Sequence, residues 1–242
     1  MKQTALEFPE PFVDKYRPRK IEDFIGLPRV KAVIHSFLQR PRSESFLFTG
    51  PSGRGKSVMG LVMAEILEAE LQKIPSRQAD LEGIQRISNI CAYKPFNFTT
   101  GKSTNFHFIL IEECDKITPA AQIALLSKTD SVDRPLQTIF VLTSNEDLRA
   151  LEPRLRSRMK ILIFDNEGLV EELPAFLAKI AVKEGFKRKL DFARIARDCE
   201  YNVRDALNRL ETEIMGASYL TEGYDAGNLR ASIRLAKKRD AA

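Results

Sequence analysis

The sequence predicts an α/β fold, a parallel sheet with helices on both faces, followed by a small all-helical lid domain. Three observations lead to this prediction. Apolar runs suited to buried strands alternate with helical segments, a glycine-rich phosphate-binding loop joins the first run to a helix, and no strand-like run follows Asp165. The predicted organisation is an N-terminal arm (1–11), a P-loop nucleotide-binding domain (12–164), the lid domain (165–215) and a basic tail (216–242).

The individual elements follow from the period of the apolar side chains. Helices are predicted where apolar residues recur every three or four positions, at 28–39, 58–67, 81–93, from Thr118-Pro119 onward, 169–184, 191–199 and 203–215. Strands are predicted at nearly continuous apolar runs, at 45–49, 106–111, 138–143 and 161–164. Residues 97–105 are predicted to form a polar loop, and Leu229, Ile233 and Ala236 mark a candidate helix in the tail.

Composition narrows the class of protein. The 242 residues are 43% hydrophobic and 29% charged, as in an ordinary globular protein, and the net charge of +5 suits a polyanionic partner. No apolar run approaches the length of a membrane span and the N-terminus is no secretory signal, so we expect a cytoplasmic protein (nuclear if eukaryotic) with no membrane partner. The three cysteines are widely spaced and indicate neither a disulfide framework nor a zinc site.

The most specific motif is a complete phosphate-binding loop between a predicted strand and a predicted helix. It consists of Gly50, Pro51, Ser52, Gly53, Arg54, Gly55, Lys56 and Ser57, and Val58 directly after it is counted with the nucleotide-binding residues. The glycines let backbone N–H groups turn inward and form an anion site at a helix N-terminus. Lys56 is expected to reach the β- and γ-phosphates, and the Ser57 hydroxyl to ligate Mg²⁺. The sequence therefore predicts binding of a nucleoside triphosphate, with ATP and Mg²⁺ as cofactors.

Polar residues follow two of the predicted strands. Glu112 and Glu113 come directly after the strand at 106–111. Because ligands bind at the carboxyl ends of parallel strands, these acids are expected to face the phosphate loop. Hydrolysis needs one carboxylate near Mg²⁺ and another that polarises the attacking water, and these roles are assigned to Glu112 and Glu113 respectively. Asn145 ends the next strand, where its side chain suits either a contact with water or γ-phosphate or an ordinary turn or helix cap.

Three arginines, Arg154, Arg156 and Arg158, come shortly afterwards. Arginine stabilises charge on a transferring phosphoryl group, sometimes from a neighbouring subunit, but a single arginine is more often a solvated surface charge. The residues alone leave these two interpretations open.

Six elements in a fixed order carry a resemblance to a known family. They are Asp14-Lys15-Tyr16-Arg17-Pro18 with Asp23-Phe24-Ile25-Gly26, the phosphate loop, Glu112-Glu113-Cys114-Asp115, Asn145, Pro153-Arg154-Leu155-Arg156-Ser157-Arg158, and Asn202-Val203-Arg204-Asp205-Ala206-Leu207-Asn208. Together they resemble the AAA+ ATPases of the clamp-loader clade, most of all replication factor C small subunits, over residues 12–211.

The resemblance implies further site residues and their roles. Those around the adenine are Tyr16, Arg17, Pro18, Ile25 and Gly26. Asn145 matches the family's sensor 1 residue, and Arg204 matches sensor 2 in the helical domain. Arg158 matches the arginine finger that acts on a neighbouring subunit, so the expected catalytic set is Glu113, Asn145, Arg158 and Arg204.

Departures from the family qualify these expectations. Glu112 stands where the family has Asp, so the magnesium ligand is one methylene longer and slower hydrolysis is implied. Met159 replaces the cysteine that follows the finger arginine in the family. Leu126 and Ser127 stand where the family often has consecutive arginines that touch DNA phosphates. The family's third helical domain, which forms a pentameric collar, has no counterpart, which leaves open a piece of a longer chain or a compact member that assembles differently.

The function implied by the resemblance is that of an ATP-hydrolysing subunit of a clamp-loader-type complex that opens or places a sliding clamp on DNA. The implied partners are other AAA+ clamp-loader subunits, in a homo- or hetero-oligomer, the sliding clamp, and primer-template or double-stranded DNA. Two alternatives remain open, a stand-alone AAA+ remodeller or regulator acting on another protein or nucleic acid, and a nucleotide-bound subunit that does not hydrolyse.

Overall fold

A computed structural model of the chain describes residues 10–130, 135, 137–145, 148 and 151–221. Most of the predicted N-terminal arm and most of the predicted basic tail, including Leu229, Ile233 and Ala236, lie outside the described residues. In the part that is described, no helix is both long and apolar enough to cross a membrane.

A five-stranded parallel sheet forms the centre of the first domain. Its strands, in the spatial order β2-β5-β6-β1-β7, are β1 (Glu44–Thr49), β2 (Glu70–Ile74), β5 (His107–Ile111), β6 (Thr138–Ser144) and β7 (Lys160–Ile163), and a separate antiparallel pair consists of β3 (Phe96–Asn97) and β4 (Lys102–Ser103). Each of β1, β5 and β6 has a neighbour on both sides, and their side chains are almost all buried. This explains why these three strands are continuous apolar runs in the sequence.

Helices lie on both faces of the sheet, and among the described residues only helices follow the last strand. They are α1 (Phe12–Lys15), α2 (Pro28–Gln39), α3 (Lys56–Ile66), α4 (Leu81–Ile90), α5 (Pro119–Thr129), α6 (Pro153–Ser157), α7 (Leu169–Lys183), α8 (Phe192–Asp198) and α9 (Val203–Thr221). As predicted, the Thr118 hydroxyl caps α5, accepting a hydrogen bond from the Ala121 N–H at 3.3 Å.

The alternation of side chains along the strands separates two hydrophobic clusters. Phe46 and Phe48 of β1 pack in a cluster with residues of α2 and α3, whereas Leu47 between them packs on the opposite face with residues of α4, α5 and α6. A third cluster joins α7, α8 and α9, and it includes Phe12 from the start of the chain. The predicted fold class, a parallel sheet covered on both faces and followed by a helical region, is confirmed.

Two local predictions were wrong. The strand β2 was not predicted, because its sequence Glu-Leu-Gln-Lys-Ile contains no apolar run. It is an edge strand of the five-stranded sheet, paired with β5 and exposed at alternate positions, so it does not need one. The segment predicted as a polar loop overlaps the short pair β3–β4, whose two-residue strands are below the length at which a period can be recognised.

Candidate nucleotide-binding site

The phosphate loop turns sharply between β1 and α3, and its glycines make the turn possible. Gly50, Gly53 and Gly55 have φ angles of 139°, 73° and 84°, a region that residues with a Cβ rarely occupy. A Cβ on Gly50 would lie 2.3 Å from the carbonyl oxygen of Phe164, so the loop also runs against the strand end beside it. Gly55 is the N-cap of α3, which places the loop at the N-terminus of that helix, where backbone N–H groups attract anions.

Lys56 is held inside its own loop. Its Nζ donates hydrogen bonds to the carbonyl oxygens of Gly50 and Pro51, at 2.6 and 2.7 Å. Burial lowers the pKa of Lys56 to about 8, the negative charge of Asp115 opposes this fall, and the positive charges of Arg54 and Arg204 add to it. A negatively charged ligand that binds beside this ammonium group would therefore stabilise its charged form.

A polar cavity of about 360 Å³ opens beside the loop at the carboxyl edge of the sheet. It brings together most of the predicted phosphate, magnesium and catalytic residues, namely Ser52, Gly53, Gly55, Lys56, Ser57, Val58, Glu112, Glu113, Asn145 and Arg204. These residues lie far apart in the sequence and meet because the strand ends and α9 converge here.

The two glutamates leave β5 in different directions. The Glu112 N–H continues the ladder by donating to the Ile74 carbonyl oxygen, and its side chain pairs with Lys73 at 3.1 Å. Glu113 has a left-handed backbone, with φ of 52°, and its N–H donates to the Thr143 hydroxyl at 3.2 Å. Its carboxylate pairs with Lys116 at 2.6 Å. The turn after β5 is thus anchored to both neighbouring strands, and both glutamates line the polar cavity.

Asp115 connects this turn to the next strand. Its Oδ1 accepts a hydrogen bond from the backbone N–H of Asn145 at 3.3 Å, and its charge acts on Lys56. The position of Asn145 after β6 is therefore set through the acidic turn after β5.

A second, largely apolar cavity of about 120 Å³ lies on the other side of the loop. It is lined by the predicted residues Tyr16, Arg17, Pro18, Ile25, Gly53, Arg54, Gly55, Val58 and Arg204, together with Val13, Asp23, Phe24, Leu169, Phe176, Val203 and Leu207. The Tyr16 hydroxyl bonds to Glu184, and burial, followed by this carboxylate, raises the pKa of Tyr16 to about 12. Arg204 is the predicted residue of α9 that lines both cavities.

Four predicted residues line neither cavity. Gly50 and Pro51 form the backbone of the loop and supply the two carbonyl oxygens that Lys56 contacts. Gly26 supports the start of α7, because its N–H donates to Glu172 at 2.8 Å and a Cβ there would meet the Glu167 carbonyl oxygen at 2.5 Å. Arg158 pairs instead with Asp130, at 2.9 Å.

Sequence reasoning missed several lining residues. Pro75, Ser76 and Arg77 come after β2 and line the polar cavity, together with Thr143 of β6. Had β2 been recognised, the rule that ligands bind at the carboxyl ends of parallel strands would have predicted the first three. Phe176 and Leu207 line the apolar cavity, but no sequence feature marks them, since both resemble ordinary core residues of helices.

The donor groups of the polar cavity fit a nucleoside triphosphate with Mg²⁺. Magnesium prefers oxygen ligands and is commonly held by one or two carboxylates or hydroxyls together with phosphate oxygens. Ser57 and Glu112 supply such oxygens in the same cavity as Lys56 and the loop. Among the residues that the structure describes, no cluster of three or more His, Cys, Asp or Glu would hold a metal ion by itself.

Comparisons with known proteins agree with this geometry. The model of the ATPase family associated with various cellular activities (AAA) matches residues 46–166. The chain is 27% identical to the replication factor C small subunit of Halobacterium salinarum over 206 residues, which are 84% of this chain and 62% of that relative. It is 26% identical to the small subunit of Methanothermobacter thermautotrophicus over 226 residues, 89% of this chain and 67% of that relative. The resemblance to replication factor C small subunits is confirmed.

Solved structures show the same fold. The Thermotoga maritima RuvB Holliday junction branch migration motor superposes with a TM-score of 0.64 at 19% identity, covering 81% of this chain and 64% of that chain. At this identity the likeness concerns the fold alone. The chain spans about 62% of the length of the Halobacterium relative.

Proposed function

The chain belongs to the ATPase family associated with various cellular activities (AAA), and on that premise we propose that it binds ATP with Mg²⁺ and hydrolyses it as a clamp-loader-type subunit. The observation that carries the proposal is the polar cavity, in which Lys56, Glu113 and Arg204 meet beside the phosphate loop. A lysine, a carboxylate and an arginine around one anion-binding loop are the groups that phosphoryl transfer requires.

The loop and its lysine would bind the triphosphate. Lys56 would exchange the carbonyl oxygens of Gly50 and Pro51 for phosphate oxygens, with which its charge interacts more strongly. Ser57 and Glu112 would hold Mg²⁺, which neutralises part of the phosphate charge when it is bound. The apolar cavity on the other side of the loop would receive the base, with Tyr16, Pro18 and Ile25 in its lining.

Glu113 is proposed as the general base. It lines the cavity, and its carboxylate would accept a proton from the attacking water, while the Asn145 side chain would orient that water. In the structure Glu113 is paired with Lys116, so this ion pair has to open or be shared when the water is bound. Arg204 would stabilise charge on the γ-phosphate from the helical domain.

The position of Arg158 supports a site shared between subunits. It lines neither cavity of its own chain, and it is held by Asp130 with about a third of its side chain exposed. We propose that it completes the site of a neighbouring AAA+ clamp-loader subunit, in a complex that acts on a sliding clamp and on primer-template or double-stranded DNA. The relatives named replication factor C small subunit support this assignment.

A second candidate is a stand-alone AAA+ remodeller or regulator acting on another protein or nucleic acid. One observation favours it. On α5, Leu126 is buried and the Ser127 hydroxyl donates to the Ala124 carbonyl oxygen, so these two positions present no charge to a DNA phosphate.

Complementation between two inactive variants tests the shared site. We expect Arg158→Ala to bind ATP normally but to lose turnover by on the order of 10³-fold in the assembled state. Mixing it with Glu113→Gln should restore part of the activity, because interfaces with an intact Arg158 and an intact Glu113 form again. Arg154→Ala, on α6 just before Arg158, is the control and should retain turnover. Turnover that is linear in protein concentration, without complementation, would contradict the shared site and favour the second candidate.

The clamp-loader assignment needs its own measurement. Turnover should rise when a sliding clamp and primer-template DNA are added together, and the clamp should co-purify with the chain in the presence of ATP. Turnover that changes with neither addition would favour the second candidate, a stand-alone AAA+ remodeller or regulator.

A further inference from the structure

Arg54 belongs to the phosphate loop, and its side chain reaches the helical region that follows the sheet. The residue is only 6% exposed, and burial lowers the pKa of its guanidinium, an effect that Asp165 and Glu200 oppose. The guanidinium donates one hydrogen bond to the carbonyl oxygen of Tyr201 and another, at 2.7 Å, to that of Glu200. One side chain of the phosphate loop thus holds two consecutive carbonyl groups of the turn between α8 and α9.

The turn that Arg54 holds is conformationally unfavourable by itself. Glu200 and Tyr201 both have left-handed backbones, with φ of 51° and 56°. Residues with a Cβ adopt this left-handed backbone conformation only when the surrounding structure holds them in it. The backbone hydrogen bonds of the α8 end supply part of this support, and the charged donor of Arg54 supplies another part.

The same turn sets the start of the helix that carries Arg204. Asn202 caps α9, since its Oδ1 accepts from the Asp205 N–H at 3.2 Å. Gly53 lies directly against this cap, because a Cβ on Gly53 would lie 1.8 Å from the Asn202 Oδ1. Gly53 and Arg54 therefore contact the turn immediately before Val203 and Arg204, and Arg204 lines both cavities.

We propose that Arg54 is a positioning residue that couples the phosphate loop to Arg204 by holding the turn at Glu200 and Tyr201. The coupling rests on the proposed function, since it concerns how ATP is distinguished from ADP in the same site. When phosphates occupy the loop, the loop backbone on either side of Arg54 is fixed, and the guanidinium transfers that fixed position to α9. Arg204 then lies where a γ-phosphate can be contacted.

A double-mutant cycle on nucleotide preference tests this coupling. The affinities for ATP and ADP are measured by fluorescence titration in the full chain and in Arg54→Ala, Arg204→Ala and the double variant. Arg54→Ala is expected to lower the preference for ATP over ADP by about tenfold, the loss typical of hydrogen bonds to a charged group. In the Arg204→Ala background, the same substitution should change the preference by less than about twofold.

Controls separate positioning from general loss of structure. Arg54→Lys keeps the charge but has one nitrogen for two carbonyl groups, so it should retain part of the preference for ATP over ADP. If Arg54→Ala does not fold, Arg54→Lys replaces it in the cycle. Arg197→Ala removes an exposed charge from α8 and should leave the preference unchanged. Additive effects of Arg54→Ala and Arg204→Ala would overturn the proposal and indicate a direct contact of Arg54 with the nucleotide. If Lys56→Ala also retained full ATP affinity, the proposed function itself would fail.

Discussion

The polar cavity and the apolar cavity share the phosphate loop but are built in different ways. The polar cavity is formed mainly by the segments at the carboxyl ends of β1, β2, β5 and β6, four strands joined by a continuous ladder of backbone hydrogen bonds. The apolar cavity is formed by the segment around Tyr16, the loop and the two helices α7 and α9. Side-chain packing and a few long-range hydrogen bonds join these parts, among them the Tyr16–Glu184 contact.

Under the proposed function, this difference suits separate tasks on the two sides of the loop. Hydrogen-bonded strand ends hold charged groups in a fixed relation, as chemistry on a phosphate requires. Packed helices can shift as a unit, which suits a wall that closes on a base and carries Arg204. The comparison predicts that substitutions of the charged groups at the strand ends change chemistry or triphosphate binding selectively, whereas substitutions of the apolar side chains that line the apolar cavity change all nucleotide binding equally.

The largest expected effect is on turnover from the polar cavity. Glu113→Gln should lower kcat by on the order of 10³-fold and leave ATP affinity nearly unchanged, because the amide cannot accept the proton from water. Steady-state ATPase assays and a binding titration measure the two quantities separately. Glu171→Gln, on the exposed first turn of α7, is the matched control. Turnover like that of the unmodified chain would place the base elsewhere, with Asp115 as the next candidate.

Removing the loop lysine should weaken binding rather than turnover alone. Lys56→Ala is expected to lower ATP affinity by about a hundredfold or more, since it removes a buried positive charge from beside the phosphates. The loss for ADP should be smaller, because ADP has no γ-phosphate. Calorimetric titration checks both nucleotides, with the exposed Lys179→Ala as control. Equal losses for ATP and ADP would break the distinction between the two cavities.

The apolar cavity should respond in the opposite way. Phe176→Ala removes part of the apolar lining and is expected to lower ATP and ADP affinity by the same factor, about tenfold, with kcat retained. Val182→Ala, at an exposed position of the same helix, should change neither affinity. A selective loss of ATP affinity in Phe176→Ala would show that this wall also distinguishes the triphosphate.

The smallest expected effect is a pH dependence that belongs to the polar cavity. The pKa of Lys56 is lowered to about 8 in the free protein, and bound phosphates would raise it again, so binding above that pH takes up a proton. ATP affinity should therefore be full well below about pH 8 and fall by about fivefold between pH 8 and pH 9. ATP titrations of the unmodified chain and of Lys56→Arg between pH 7 and pH 9 measure this pH dependence. An ATP affinity that does not change with pH in either protein would show that the protonation of Lys56 does not control binding.

Most residues that line the polar cavity could be predicted because they lie in short, contiguous stretches of sequence. The phosphate loop needs glycine at positive φ and a lysine at a fixed spacing, and both requirements act over about eight residues. Glu112 and Glu113 were placed by a general rule about strand ends. Arg77 was missed because β2, at the sheet edge, lacks an apolar run.

The apolar cavity could be predicted only through the family resemblance, and then in part. Tyr16, Pro18 and Ile25, which the resemblance assigns to the adenine, line this cavity, whereas Phe176 and Leu207 have no local sequence feature that separates them from core residues. Gly26 was assigned to the adenine site, but its N–H and its lack of a Cβ serve the contact with the start of α7.

The sequence by itself determined the α/β class, the phosphate loop and the acidic pair, because hydrophobic period, glycine conformation and strand-end position are local properties. Only the tertiary structure decided that Arg54 reaches the turn at Glu200 and Tyr201, and that Arg204 lines both cavities. The physical reason is sequence separation. Arg54 and its partners are 146 and 147 positions apart, and such contacts arise from the packing of whole elements, which no local pattern records.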